Sequence, residues 1–380
     1  MPEVQIKDTD TPRGRTQKEG VIQLQRRELF FLRRQMRMLK KQQDMVTLGI
    51  ETSCDDTALA LMKGRNEVLF SVISSQIKSH SVYGGVVPEL ASRMHQEMIM
   101  PLLEKVLEVS GILYPSEEID LIAVTAGPGL MGSLLVGVMT AKALSQAWEL
   151  PIIGVNHLEG HIFANVAANR ELAPPFISTI VSGGHTEIVC VKDFGEYELL
   201  GSTRDDAAGE AYDKIAKMMG LGYPGGPVID RLSYTGDPES YPLPTPLSNT
   251  DKVEFSFSGL KTAAANIIRS SEKTGTSIKK EDICASFQKA VIASLTCKIK
   301  LAAETTGIKR LTLSGGVAAN TGLRRRLEEI AEEENWELFL PPLKMCTDNA
   351  VMIASAGVDS YMRGNRSDLS LSPDPSWQIW

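Results

Sequence analysis

The feature that narrows the fold most is a pattern that occurs twice. Residues 46–62 (VTLGIETSCDDTALALM) alternate through two short strands joined by a small polar turn, and EVLFSVISSQ (67–76) supplies a third strand. Residues 176–191 (FISTIVSGGHTEIVCV) repeat this, with YELLGS (197–202) as the third strand. Such alternation, bounded by turn residues, marks β-strands. In the first half a helix runs from Pro88 to Val109. A strand (DLIAVTA, 120–126), a glycine-rich turn (GPGLMG, 127–132), a helix from Ser133 to Trp148 and a strand (PIIGVN, 151–156) follow. The second half offers helices over 206–219 and 282–306, a strand entering a glycine-rich turn (RLTLSGGVAAN, 310–320), a further helix, and WELFLPP (336–342) to close. Two βββαβα halves predict an α/β fold of two similar lobes around a central cleft, with ligands at the strand ends against the glycine-rich turns. Lobe I is expected over 46–174 plus 347–372 and lobe II over 175–346, with 221–260 as an inserted loop region. Residues 1–45 read as an N-terminal extension outside the fold, and 373–380 as a tail.

A chain of 380 residues is long enough for two such lobes. It has no run of about 20 apolar residues, so no membrane association is expected. Five scattered cysteines without CxxC spacing read as reduced thiols, and no apolar leader opens the chain, which points to the cytoplasm. The net charge of −7 is unevenly spread: residues 1–44 carry eleven Lys/Arg against six Asp/Glu, leaving about −12 for the rest. An acidic body is a poor lone binder of phosphate backbones. Any nucleic acid would therefore need a local basic patch or a partner.

His157-Leu-Glu-Gly-His161 holds two of the five histidines. Four residues apart on a helix they lie about 40° apart on one face and can chelate one divalent ion. An isolated HxxxH is more often a solvated pair, so its surroundings decide. Four turns share one design, glycine or small polar residues directly after a strand: Glu51–Asp56, Gly127–Gly129, Ser182–His185 and Ser314–Asn320. Such turns bring backbone N–H groups close to an anion. Asp205–Lys214 reads as an N-capped acidic helix, and Gly222–Asp230 as a loop over a nucleoside, with Asp213 and Asp230 available to ribose hydroxyls. Asp348 stands where the closing helix begins, and its plain role there would be an N-cap.

IETSCDDT, YGGVVPELASRMH, AGPGLMGSLLVG, NHLEGH, VSGGHTE, DDAAGEAYDK, LGYPGGPVID, FSFSGLKT, SFQKAV, SGGVAAN and CTDNA, in that order, resemble the tRNA N(6)-adenosine threonylcarbamoyltransferase family, called TsaD in bacteria and once labelled a sialoglycoprotein endopeptidase. The resemblance runs from about Met45 to about residue 372. It implies an actin-like ATPase fold of the ribonuclease H-like kind. It also implies one ferrous ion (Fe2+) per subunit on His157, His161 and Asp348. The family's substrate contacts map onto Ile180, Val181, Ser182, Gly183, Gly184, Asp213, Gly226, Asp230 and Asn320. The implied reaction moves the threonylcarbamoyl group of threonylcarbamoyl-AMP to the exocyclic amine of adenosine 37, in tRNAs reading codons that begin with A. ATP or another adenine nucleotide is a further expected occupant of the cleft. The implied partners are tRNA, a paralogous TsaB-like subunit, a small P-loop ATPase of TsaE type, and a threonylcarbamoyl-AMP synthase that supplies the substrate.

Two other enzyme classes compete. A zincin metalloprotease needs H-E-x-x-H, whereas Glu159 follows His157 by two residues and points about 200° around the helix. An actin-like kinase or ATPase would use the same phosphate turns, but has no need of the HxxxH and Asp348 set.

Overall fold

The computed structural model describes residues 40–275 and 277–380. In chain order the strands are β1 (Val46–Glu51), β2 (Asp56–Lys63), β3 (Glu67–Ser75), β4 (Leu121–Gly127), β5 (Ile152–Asn156), β6 (Phe176–Val181), β7 (Thr186–Asp193), β8 (Glu196–Ser202), β9 (Arg310–Ser314) and β10 (Glu337–Phe339). The principal helices are α1 (Pro88–Val109), α2 (Met131–Trp148), α3 (His157–Ala168), α4 (Ala208–Met218), α5 (Gly225–Ser233), α6 (Ser258–Thr274), α7 (Lys280–Thr306), α8 (Thr321–Glu334) and α9 (Ala350–Met362).

The strands form two five-stranded sheets, ordered β3-β2-β1-β4-β5 and β10-β9-β6-β7-β8. The second order, read from its far edge, repeats the first: an antiparallel meander whose first strand pairs in parallel with a strand delivered by helices. The two halves are therefore one design used twice. The central strands β4 and β6 are buried on both faces, which is why they carry no charged residue.

Helices α3 and α9 are buried along nearly their whole length and share one core with residues of both sheets, including Ile153, Phe176, Ile180 and Val189. Close approach is what makes this work. A Cβ on Gly160 would come within 2.7 Å of Ile353 Cδ1, and one on Gly49 within 2.3 Å of the Ala350 carbonyl. Glycine is required at both places because α9 lies directly against α3 and β1. No helix among the described residues is long and apolar enough to cross a membrane.

Three sequence expectations need revision. Of the expected extension, residues 1–39 lie outside the described residues, but residues 40–45 are not separate from the fold: Met45 is fully buried, and Lys40 Nζ stands 2.7 Å from Asp120 Oδ2. Residues 373–380 also pack into the body. The Asp374 amide donates to the Ala126 carbonyl at 2.7 Å, and Trp377 and Trp380 rest against apolar clusters. Within the expected loop region, Gly225–Ser233 is helical and Ser258 opens a second helix. The glycines and prolines there set a helix start rather than prevent one.

Candidate metal centre and substrate cleft

Helix α3 begins at His157 because Asn156 caps it, its Oδ1 accepting from the Leu158 and Glu159 amides. Both histidines of that first turn are buried and face one way, with ring centroids 4.7 Å apart. Asp348 is not the cap of the closing helix. Asn349 takes that role by accepting from the Met352 amide at 3.0 Å, which leaves the Asp348 carboxylate free. Asp348 Oδ1 stands 3.4 Å from Nε2 of both His157 and His161, and the three donor atoms lie within 4.8 Å of one another.

These residues fit a divalent metal ion. Neither ring nitrogen of the wholly buried His161 has a hydrogen-bond partner among the described residues, a costly arrangement for a polar group that binds nothing. Two imidazoles and one carboxylate form a set that leaves coordination positions open. Burial would discourage charge on His157, yet Asp348 and then Glu51 outweigh it and hold its pKa well above the ordinary value. Burial would likewise raise the Asp348 carboxyl, but His157 and His161 hold it far below the usual carboxylate range.

Glu51 was read from the sequence only as the first residue of a turn. It is wholly buried, with Oε2 3.1 Å from His157 Nδ1 and accepting from Thr125 Oγ1 at 2.6 Å, while Ser53 Oγ stands 3.1 Å from the same imidazole nitrogen. Engaging Nδ1 leaves Nε2 of His157 directed at Asp348, the arrangement that orients a metal-ligating histidine. An acid ending an otherwise apolar strand was the available signal. Glu159 is engaged elsewhere: Tyr197 donates to its Oε1 at 2.7 Å, and Arg363 Nη2 lies 3.2 Å away. It therefore does not serve the histidine pair as a protease glutamate would.

The other predicted residues fall into two groups. Ile180 and Val181 are buried at the end of β6, and Ser182–His185 is the tight turn into β7, closed by the Ser182 amide on the His185 carbonyl at 2.8 Å. Gly183, Gly184 and Gly226 have open space where a side chain would stand, so a ligand can approach their backbone. Burial, then His157 and His161, push the His185 imidazole down to about 4, so that ring is neutral at physiological pH. On α4, Asp213 Oδ1 accepts from the Gly225 amide at 2.7 Å at the start of α5. Asp230 accepts from Gln288 Nε2 at 3.0 Å and from the Thr321 hydroxyl at 2.8 Å. Asn320 donates to Gln288 Oε1 at 2.7 Å and caps α8. Asp230, Gln288, Asn320 and Thr321 thus form one hydrogen-bonded network joining α5, α7 and α8, and Asp213 holds the start of α5. Two cavities are open: one of about 350 Å3 beside Ser248–Asp251, and one of about 300 Å3 between Ser81–Gly84 and Asp213–Tyr223, which shares Asp213 with these residues.

Comparison with known proteins gives a consistent result. The family model described as tRNA N6-adenosine threonylcarbamoyltransferase matches residues 67–355. The chain is similar to proteins of that name from Bacillus cereus (50% identical over 339 residues, 89% of this chain and 98% of the relative) and Bacillus subtilis (48% over 342 residues, 90% and 98%). Among solved structures it is similar to full-length HypF in a phosphate- and nucleotide-bound form (TM-score 0.56, 18% identity, 86% of this chain and 57% of that one) and to T. kodakarensis HypF (TM-score 0.58, 14% identity, 84% and 48%). At that identity the likeness concerns the fold, which is actin-like as expected.

Proposed function

The chain belongs to the tRNA N6-adenosine threonylcarbamoyltransferase family and is a transferase, and from this we propose that it moves the threonylcarbamoyl group of threonylcarbamoyl-AMP to the exocyclic amine of adenosine 37, in tRNAs reading codons that begin with A. The observation that carries the reading is the His157, His161 and Asp348 cluster, with its orphaned imidazole, standing beside open glycine turns.

His157, His161 and Asp348 would hold one ferrous ion, which when bound supplies Lewis acidity and orientation at the donor. The remaining work belongs to the chain. The amine nitrogen attacks the carbamoyl carbon, the bond from that carbon to the phosphate oxygen breaks, AMP departs, and the amine loses a proton. Backbone N–H groups at Gly183 and Gly184 take up charge on the departing phosphate. Asp213, Gly226, Asp230 and Asn320 seat the adenosine of the donor, or of ATP when that occupies the cleft. Glu51 and Ser53 fix the His157 ring, so the reacting geometry is set before substrate arrives.

A partner reading accompanies this one. On α2, Met131, Leu135 and Met139 follow one another at four-residue spacing and are each about half exposed. An unpartnered apolar stripe on a lobe I helix suits a paralogous TsaB-like subunit of the same fold, with a TsaE-like P-loop ATPase and a threonylcarbamoyl-AMP synthase completing a cytoplasmic pathway. The test of the function is a single-turnover assay with premade threonylcarbamoyl-AMP and unmodified tRNA under anaerobic conditions. The parent should form threonylcarbamoyladenosine, and His161→Ala should lose both bound iron and at least about 100-fold in rate. Full transfer by a demonstrably metal-free His157→Ala/His161→Ala protein would overturn the assignment.

A further inference from the structure

Three of the five histidines lie outside the cluster, and two of them, His80 and His95, are fully buried. Their hydrogen bonds have only one consistent direction. The Val87 amide donates to His80 Nδ1 at 3.2 Å, so the proton of His80 is on Nε2, which donates to Gln76 Oε1 at 3.0 Å. His95 Nδ1 accepts from Thr57 Oγ1 at 2.8 Å, so its Nε2 donates to the Cys54 carbonyl at 3.0 Å. The Gln76 amide nitrogen lies 3.4 Å from His95 Nδ1 and joins the two rings. This relay of neutral groups ties the segment 80–87 to the turn at the end of β1, and so to the cleft floor.

What the relay holds rigid is an exposed lip. Val82 is 83% exposed and Tyr83 61% exposed, between the buried His80 and the start of α1. With Gly84 they form one wall of the 300 Å3 cavity, whose opposite wall is Asp213, Lys217, Gly220, Gly222 and Tyr223. Gly84 has φ +70°, and a Cβ there would meet Lys217 Nζ at 3.0 Å, so the lysine stands directly across the gap. Lys217 has no carboxylate partner within ion-pair distance among the described residues, whereas Lys214 one turn earlier pairs with Asp206 and Glu210. The cavity thus offers an aromatic face and an uncompensated cation, and it shares Asp213 with the substrate side of the cleft.

We propose that this cavity receives the acceptor strand: the base of the target adenosine, or its immediate neighbour in the loop, stacks on Tyr83 while Lys217 meets the adjoining phosphate. The inference rests on the proposed transferase function and names where its RNA enters. Single-stranded loops are recognised by splayed bases on aromatic side chains with backbone charge nearby. A volume at the lower end of small-molecule pockets suits one nucleotide and is too small for a protein segment. Elsewhere the body is acidic, so attraction for a phosphate must be local, and Lys217 supplies it.

The test uses the full chain with its partner subunits and an unmodified anticodon stem-loop RNA. Tyr83→Ala should weaken stem-loop binding about 10- to 100-fold, while Tyr83→Phe, which keeps the ring, should bind within about twofold of the parent. Lys217→Ala should weaken binding and reduce the slope of log affinity against log salt by about one phosphate contact. Affinity for threonylcarbamoyl-AMP without RNA should stay parental in all three. Parental RNA affinity in Tyr83→Ala overturns the proposal. So does an equal loss of donor affinity, which would make the cavity a donor subsite, and so does a loss confined to subunit association, which would make it a protein interface. A parent that binds the stem-loop through Tyr83 yet forms no threonylcarbamoyladenosine would refute the function while leaving the RNA site standing.

Discussion

Two carboxylates, the buried Glu51 and the partly buried Glu187, behave in opposite ways, and each gives a prediction. Burial would raise the Glu51 carboxyl, but the His157 imidazole beside it holds it below its ordinary value, and its bonds fix the ring. Glu51→Gln preserves shape and burial but replaces an acceptor oxygen with an amide. Metal affinity should then fall about 10- to 100-fold with folding retained, as read by chelator competition. Unchanged metal retention would remove Glu51 from the orienting role. Glu187, on β7 opposite Ile180, has the other fate: burial alone pushes its carboxyl up to about 7, and Oε2 has no hydrogen-bond partner among the described residues. Its folded pKa therefore exceeds the ordinary 4.5. Below pH 4.5 the group is neutral whether folded or unfolded and costs nothing. As pH rises towards 7 the unfolded chain ionises it while the folded chain resists, so stability is lost across that window. Glu187→Gln should raise the unfolding temperature more at pH 8 than at pH 5. An equal shift at both would mean the carboxylate is compensated.

Elements differ in how plainly the residues announce them. The strands were legible because β1–β2 and β6–β7 are each a pair of largely apolar runs around a short polar turn, a local signal that tertiary packing reinforces. His157 and His161 were legible because their spacing alone puts them on one face of a helix. Helix α5 was not, because its glycine- and proline-rich start is stabilised by Asp213, a residue of another helix. Glu51 was not, because its partner lies 106 positions along the chain. The last residues carried no periodicity, yet they form a strap. Asn156 caps the helix of the metal ligands with its oxygen while its nitrogen donates to the Trp377 carbonyl at 2.9 Å, and a Cβ on Gly127 would collide with the Asp374 carbonyl. Removing residues 373–380 takes away these bonds and the cover of two tryptophans. That should cost on the order of 3 kcal/mol, seen by calorimetry as a lower unfolding temperature. A deletion that melts with the parent would show that the strap only lies on the surface.

At the scale of the whole molecule the question is whether this chain can act alone. From residue 45 onward it carries about −12, a field that opposes the salt-dependent attraction on which tRNA binding relies. A single cation such as Lys217 can place a phosphate but cannot hold a stem. The apolar stripe of Met131, Leu135 and Met139 offers the remedy, since a second subunit seated there brings its own surface to the RNA. Leu135→Glu should test this cleanly: a charge in the middle of the stripe would be desolvated on assembly and should abolish the subunit contact, while α2 still folds because the position is exposed. Donor binding and metal content, which depend on α3 and α9, should be untouched. In a single-turnover assay at physiological salt, the parent chain alone should be slow, the parent with the paralogous subunit and the P-loop ATPase fast, and Leu135→Glu slow in both mixtures. Rapid stoichiometric transfer by the isolated chain starting at Lys40 would overturn the partner requirement and make a self-sufficient homodimer the better description. In that case Leu135→Glu should convert the dimer to monomer, so sedimentation of the same variant decides between the two assemblies.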